Sequence, residues 1–360
     1  MLKVFNSTMH CQVGDVAKVV VPSMSDEDKQ YISSIVEENI RISKNDWDSF
    51  EYSWDFKKHP LIGKKGKIES AFIEWEKICE NNFETLKSNE EKLNEFFYNK
   101  YGLLEDPGVK EEDVTIRKAD LEREIKSLIS YAVGCMFGRY SLEKEGICYA
   151  GGDWNPVCDI FAPDDDNIIP ICDDEYFEDD LANRFVDFID LTYGHEFLED
   201  NLKYIAQVLG GSGTPREIIR SYFLNEYFKD HCALYSITGS GRRPIYWLFD
   251  SGKKNGFKCL VYMHRYRPDT LARIRTDYVH EQQSRYRTII NELEQKTTNI
   301  SSSEKVKISK QLKKIVDQSE ELRLYEEKIH HLADQMIEIN LDDGVKNNYA
   351  IFQSVLAKIK

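Results

Sequence analysis

Ile245-Tyr246-Trp247-Leu248-Phe249, then Asp250-Ser251-Gly252-Lys253-Lys254-Asn255-Gly256, then Phe257 to His264: this stretch decides the fold. Two runs rich in aromatic and β-branched residues flank a turn that carries Gly and Asn, which predicts a β-hairpin. In the second run Phe257, Cys259, Val261 and Met263 alternate. Alternate residues of a strand share a face, so one face of the hairpin is expected against helices. This is the clearest β signal in the chain.

Helical periods surround it. After Asp269, a helix start, come Leu271, Ile274, Tyr278, Ile289 and Leu293. A polar turn, Thr297 to Ser303, ends in a capping box, Ser301-x-x-Glu304. The last long helix carries Ile308, Leu312, Ile315, Leu322, Ile329, Leu332, Met336 and Ile339, close to a heptad stripe. Upstream, residues 67–100 and 114–143 are helical by period, with further helices at about 176–192, about 196–209 and from Thr214-Pro215 to about Phe228. Gly134 and Gly138, four apart, suggest close helix packing. Nearer the start, Val13 to Pro22 reads as the end of a strand. Ser25-Asp26-Glu27-Asp28 opens a helix with the stripe Ile32, Ile35, Val36, Ile40. Trp47, Phe50, Trp54 and Phe56 then form an aromatic knot, read as a packing clamp.

The fold class expected is mainly α (α+β): helical domains, a small β-hairpin or sheet, and a long antiparallel helical hairpin near the C-terminus. The expected segments are 1–62, 63–150, 151–268 and 269–360. The first is the end of a unit followed by a helix and the clamp. The second is helical. The third is acidic and helical and carries the basic β-hairpin. The fourth is the helical hairpin.

At 360 residues the chain is long enough for two or three cores. Hydrophobic residues make up 41% and charged residues 31%, a globular composition. No apolar run is long enough for a bilayer, and no leader pattern opens the chain, so a cytoplasmic protein without a membrane partner is expected. The net charge of -15 conceals an asymmetry: residues 1–200 hold 22 basic and 44 acidic residues, residues 201–360 hold 26 and 19. Residues 153–200 contain 16 acidic residues and one basic, Arg184, whereas 241–290 contain 11 basic and 4 acidic. The simplest reading is a pair of charged faces that attract each other inside the fold.

Several chemistries are excluded. There is no Gly-x-x-x-x-Gly-Lys-Ser/Thr loop and no Gly-x-Ser-x-Gly elbow. Gly211-Ser212-Gly213 and Gly239-Ser240-Gly241 lack the third glycine of a dinucleotide fingerprint. Eight cysteines form no Cys-x-x-Cys pair, which argues against a zinc ribbon. Pro163-Asp164-Asp165-Asp166 has no acid-x-Lys partner before Glu294-Gln295-Lys296, so a nuclease is disfavoured. Asp164, Asp165, Asp173, Asp174, Glu178, Asp179 and Asp180 lack the spacing of an EF-hand and read as a solvated acidic face. His330-His331 reads as a surface pair. No metal site, catalytic residue or cofactor site is assigned within the chain.

Longer strings carry a resemblance. They include Gln12-Val13-Gly14-Asp15-Val16, Asp46-Trp47-Asp48-Ser49-Phe50-Glu51 and Thr115-Ile116-Arg117-Lys118-Ala119-Asp120-Leu121. Ser130 to Leu142, Arg243 to Lys258, Tyr262 to Tyr266 and Leu271 to Tyr278 follow. Over nearly its whole length the chain resembles the C-terminal region of the PglX-type adenine-specific DNA methyltransferases of BREX phage-defence systems. The resemblance implies a parent enzyme that moves a methyl group from S-adenosylmethionine to adenine N6. Such enzymes hold a flipped adenine with an Asn/Asp-Pro-Pro-Tyr/Phe motif. This chain has no Pro-Pro pair, and Asn155-Pro156-Val157 lacks the aromatic. The Phe-x-Gly-x-Gly cofactor loop is missing too. The catalytic domain and its S-adenosylmethionine are therefore expected upstream, and this segment is expected to be inactive alone.

With the resemblance, the basic segment becomes the expected contact with double-stranded DNA: Arg242, Arg243, Lys253, Lys254, Lys258, Arg265, Arg267, Arg273 and Arg275. Lysines on a hairpin turn can follow phosphates, and arginine can read guanine edges. Other expected partners are the upstream methyltransferase domain and further BREX proteins. The alternative is a protein-interaction module of a defence complex without base readout, with the acidic 153–200 segment facing a basic partner.

Overall fold

The structure is a computed structural model that describes residues 13–103, 108–156, 160–237, 241–296 and 301–359. Thr297 to Ile300 of the polar turn, Gly239, Ser240, Val157 and residues 1–12 lie outside the described residues. The chain divides into two compact units, Met1–Trp47 with Glu76–Ala119, and Asp48–Trp75 with Asp120–Lys360.

The first unit is built on α1 (Asp26–Asp48) and most of α2 (Ile68–Tyr101). Ser25 Oγ accepts from the Asp28 N–H, and the Asp28 carboxylate accepts from the Ser25 N–H. That exchange ties off the first turn of α1, and Asp26, Glu27 and Asp28 sit at the positive end of its dipole. The core is small: Ile42, Phe83, Leu86, Val114 and Ile116. α1 turns Ile35 and Ile42 inward, seven residues apart on one face, and leaves Val36 and Ile40 exposed. The expected stripe is thus rotated. Val13 to Pro22 is not a strand: Val13–Val16 is one helical turn. Val13, Val16, Val20 and Val21 are all exposed, so β-branching has no sheet to join.

The second unit has a sheet at its centre. β1 (Ile168–Ile171) pairs with β5 (Lys258–Tyr262), and β5 pairs with β4 (Tyr246–Asp250), all antiparallel. The predicted hairpin is present, with Tyr246 opposite Tyr262 and Asp250 opposite Lys258. The third strand was hidden in the sequence as four residues among acids, with Pro170 inside it. Pro170 is tolerated because β1 is an edge strand. The outer edge of β4 is covered by the C-terminal tail, where the Asp250 N–H donates to Val355 O and the Ala357 N–H donates to Leu248 O. A second ladder pairs only Ser236–Ile237 (β2) with Gly241–Arg242 (β3).

Helices cover both sheet faces. On one side Trp247, Phe249, Phe257, Cys259, Val261 and Met263 enter a core with residues of α8 (270–295), α9 (Ser302–Ala333) and α10 (Gly344–Ile351). The alternation of the second run is borne out. α8 and α9 are antiparallel neighbours: Arg275 and His280, early in α8, both reach Glu326, late in α9. α8 is interrupted by a π-helical stretch, Ile274–Val279, which the periodicity does not reveal.

The other face meets α3 (Leu121–Met136) and α7 (Tyr227–Leu234). Phe137 stacks on Tyr246 at 5.3 Å, and His231 lies 4.8 Å from the same ring. His231 Nε2 accepts from both the Ile245 and Tyr246 N–H groups at 3.1 Å. Burial drives its pKa down to about 3, so the ring stays neutral and keeps accepting. α4 (Leu181–Tyr193), α5 (Leu198–Leu209) and α6 (Pro215–Asn225) complete this side. The expected helix ending at Phe228 is two, α6 and α7, divided at Glu226. The expected helix over 114–143 is the shorter α3, with Val114 and Ile116 in the core of the other unit.

Two local expectations change. Gly134 and Gly138 serve aromatic rings rather than a neighbouring helix: a Cβ at Gly134 would lie 2.4 Å from Tyr140, and Gly138, just past the end of α3, has φ +74°. The aromatic knot is half a clamp. Phe50 and Phe56 are buried, but Trp54 is 94% exposed and Trp47 is 55% exposed.

A buried carboxyl makes this packing pH-dependent. Glu51 lies in the core, where its Oε2 accepts from Ser130 Oγ at 2.9 Å and Tyr235 OH at 3.3 Å. Burial raises its pKa from 4.5 to about 7, despite these bonds and the nearby Arg139. Between those values the folded state keeps a proton that the unfolded chain releases. Stability therefore falls as pH rises through that window, by at most about 1.4 kcal/mol per unit. Glu51→Gln should flatten melting temperature against pH between about 5 and 7; parallel profiles for the two proteins would count against this account.

Candidate nucleic-acid interface

The hairpin turn is held more firmly than a surface loop. The Gly252 N–H donates to Asp250 Oδ1 at 2.9 Å, and the Phe257 N–H donates to Ser251 Oγ at 2.8 Å. Asn255 supplies a left-handed residue, φ 56°. From α9, the Glu321 carboxylate accepts from Ser251 Oγ and from the Lys254 and Gly256 N–H groups, at 2.9–3.0 Å. Gln318 donates to Lys254 O at 3.0 Å and Tyr286 OH donates to Gly256 O at 2.8 Å. The turn amides that could have cradled a phosphate thus already hold a carboxylate.

The nine expected contact residues separate into three groups. Lys258 and Arg265, both expected as phosphate contacts, point inward and are bonded within the fold. Lys258 is buried, donates to Leu224 O at 2.9 Å and lies 3.9 Å from Asp250. Arg265 is buried, donates to Phe137 O and Asp165 O, and stacks 3.7 Å over Trp154. The cause is the same for both: they belong to the strand that runs through the core and the turn that follows it. Lys254, Arg273 and Arg275 are paired, with Asp317 at 2.9 Å, Asp166 at 3.7 Å and Glu326 at 2.6 Å. Among the described residues Arg242, Arg243, Lys253 and Arg267 make no ion pair.

These four do not form one patch. Lys253 is at the turn. Arg242, Arg243 and Arg267 are at the open end of the hairpin, beyond the Tyr246–Tyr262 pair. Five residues of strand separate the two ends, about 16 Å.

The acidic segment is mixed: Asp165, Asp174 and Glu178 are exposed as a solvated face would have them, whereas Asp164 and Asp180 are buried. Asp180 is fully buried and pairs with Arg220 at 2.7 Å. Asp173 pairs with Lys314 at 2.6 Å, and Asp174 pairs with Arg285. Asp166 and Asp179 both accept from Tyr278 OH, at 3.1 and 2.8 Å. Burial, with Asp166 beside it, raises Asp164 to about 7. Most of these partners lie in the basic half of the sequence, as expected of two attracting faces.

No family model matches the chain. Curated proteins do. The chain is 39% identical over 367 residues to the adenine-specific methyltransferase PglX of Lacticaseibacillus casei (strain Zhang), a match over 98% of the chain and 30% of that protein. It is 34% identical over 385 residues to the adenine-specific methyltransferase BrxX of Escherichia coli O9:H4 (strain HS), over 98% of the chain and 31% of that protein. The chain is similar, end to end, to part of PglX.

The PglX resemblance drawn from the sequence is thus confirmed, and the chain spans about 30% of the length of these relatives. The strings that carry the resemblance are largely core: Tyr131, Ala132, Val133, Cys135, Met136, Phe137 and Tyr140 in one, and Tyr246 to Phe249 in another, are all buried. They fix the fold more directly than they mark a contact surface.

The inward pair and the exposed turn should separate in stability. Lys258→Ala leaves the Leu224 carbonyl without its donor, and Arg265→Ala removes two hydrogen bonds and the Trp154 stack. Each should cost about 1–3 kcal/mol, read by thermal melts. Lys253→Ala should stay within about 0.5 kcal/mol. A Lys258→Ala protein as stable as the parent would show that this buried ammonium is not a structural donor.

Proposed function

We propose that the chain is a non-catalytic part of an adenine-specific DNA methyltransferase of phage defence, and that it holds double-stranded DNA for a catalytic domain located upstream. The observation that carries this reading is the end-to-end similarity to two adenine-specific methyltransferases, each more than three times as long as the match. The motif residues for adenine and for S-adenosylmethionine are missing from this sequence, so both ligands belong to the rest of the enzyme. Cations without internal partners at both ends of the hairpin suit a polyanion.

A second reading has its own support. Val36, Ile40 and Trp47 are exposed, and their spacing places them on one side of α1. Such a row suits docking to another protein, and other BREX proteins are the proposed partners.

The purified chain should bind a duplex with an affinity that falls steeply with salt, and it should transfer no methyl group from S-adenosylmethionine to adenine. Radiolabel incorporation into DNA by the chain alone would overturn the non-catalytic assignment. Duplex affinity indifferent to salt, or absent at low salt, would favour the docking reading.

A further inference from the structure

A dense run of lysines lies outside the hairpin. Lys305, Lys307, Lys310, Lys313 and Lys314 open α9, and all five are exposed. Lys314 is paired with Asp173 at 2.6 Å. Among the described residues the other four make no ion pair. The second half of the same helix is built differently. There Arg323 is bonded to Glu320 and Glu327, and Glu326 takes Arg275. Like charges three and four residues apart repel, so Lys307 and Lys310, without ion pairs of their own, have no internal electrostatic reason to sit beside Lys313 and Lys314.

These lysines are continuous with the turn. Positions 307, 310, 314, 317 and 321 are three or four apart and share one face of the helix. Asp317 and Glu321 are the residues that hold Lys254 and the turn amides. The docked turn therefore adds Lys253 and Lys254 to the end of the row. From 307 to 321 the helix rises about 21 Å. The acidic groups along it are accounted for. Asp173 faces Lys314, Asp317 faces Lys254, Glu321 holds the turn, and Glu304 caps the helix at Ser301. Among the described residues Lys253, Lys305, Lys307 and Lys310 make no ion pair, and Lys313 has only the Asp317 carboxylate one turn on, already bonded to Lys254.

We propose that this row, Lys307, Lys310 and Lys314 of α9 continued by Lys253 and Lys254, takes the phosphate backbone of a nucleic-acid duplex by charge alone. The inference rests on the DNA-holding reading and names the surface that does the holding. Three arguments favour a duplex backbone. A duplex carries one charge per about 1.7 Å of its axis, so a 21 Å row meets a dense line of phosphates. The cations are lysines, point charges without the planar fork that reads base edges, so they position without specifying. The chain as a whole carries -15, so a row of lysines without ion pairs is a local exception that suits a polyanion.

The test uses the full chain, a short fluorescent duplex of random sequence and anisotropy titrations over a range of salt. Lys307→Ala with Lys310→Ala should flatten log affinity against log salt by about 1.8, roughly 0.9 per phosphate. Adding Lys253→Ala should flatten it by about 0.9 more. Lys307→Arg with Lys310→Arg should restore the parent slope, since charge rather than shape is used. Alanine is the best helix former, so the α9 pair should fold, and circular dichroism checks this. Arg242→Ala with Arg243→Ala, at the open end of the hairpin, should flatten the slope by less than the α9 pair does. If the α9 pair keeps the parent slope while the duplex still binds, the row is overturned and the DNA-holding reading stands. If the slope responds only to the Arg242 and Arg243 pair, the surface lies at the open end of the hairpin and the row is again overturned. If the parent chain binds no duplex at low salt, or is captured only by polyglutamate, both fall.

Discussion

β5 is paired along both edges and buried on both faces, and the rest of the second unit follows from that. Each backbone amide of Lys258–Tyr262 must find a partner on β1 or β4, and each side chain must be apolar or satisfied from within. One face calls for α8, α9 and α10, the other for α3 and α7. The strand has a single charged residue, Lys258, and it is satisfied by the Leu224 carbonyl at the end of α6, with Asp250 across the strand pair. A lysine that sequence alone assigns to the surface becomes a structural donor because its neighbours leave the strand no wet side.

The same constraint distributes the charges. The third strand brings Asp164, Asp166, Asp173 and Asp174 next to the helices that follow the hairpin, so the acidic stretch meets basic and hydroxyl partners on α8 and α9. Pairing of this kind, part buried and hydrogen-bonded, orders the loops around β1. It also pairs Arg273 and Arg285 of the basic segment. Among the described residues, the cations left without an ion pair include those at the open end of the hairpin, at its turn and at the start of α9.

The fold class, the hairpin with its alternation, the helix start at Thr214-Pro215 and the capping box at Ser301 were legible because each rests on local chemistry. β1 was not, since four residues with a central proline resemble a loop until β5 is beside them. The π-helical stretch in α8 and the rotated stripe of α1 were hidden for another reason. Periodicity says that a face is apolar, but not which neighbour it meets. The candidate site was half legible. Sequence placed the basic residues near the hairpin, yet whether Arg265 faces water or Trp154 depends on contacts between residues more than a hundred positions apart. The α9 lysines were legible as charges and passed over, because a charged helix face is ordinarily just solvated.

What the hairpin turn lost as a phosphate cradle it gained as a platform. A flexible loop with two lysines would have to be ordered on binding, at a cost that offsets part of the Coulomb gain. Here Glu321, Gln318 and Tyr286 fix the turn backbone against α8 and α9 before any ligand arrives. Binding then orders only lysine side chains, and the helix sets their spacing. A fixed row of point charges suits a ligand whose charge repeats regularly and whose identity is read elsewhere. Under the proposed function, such a row would orient a duplex and leave specificity to other surfaces.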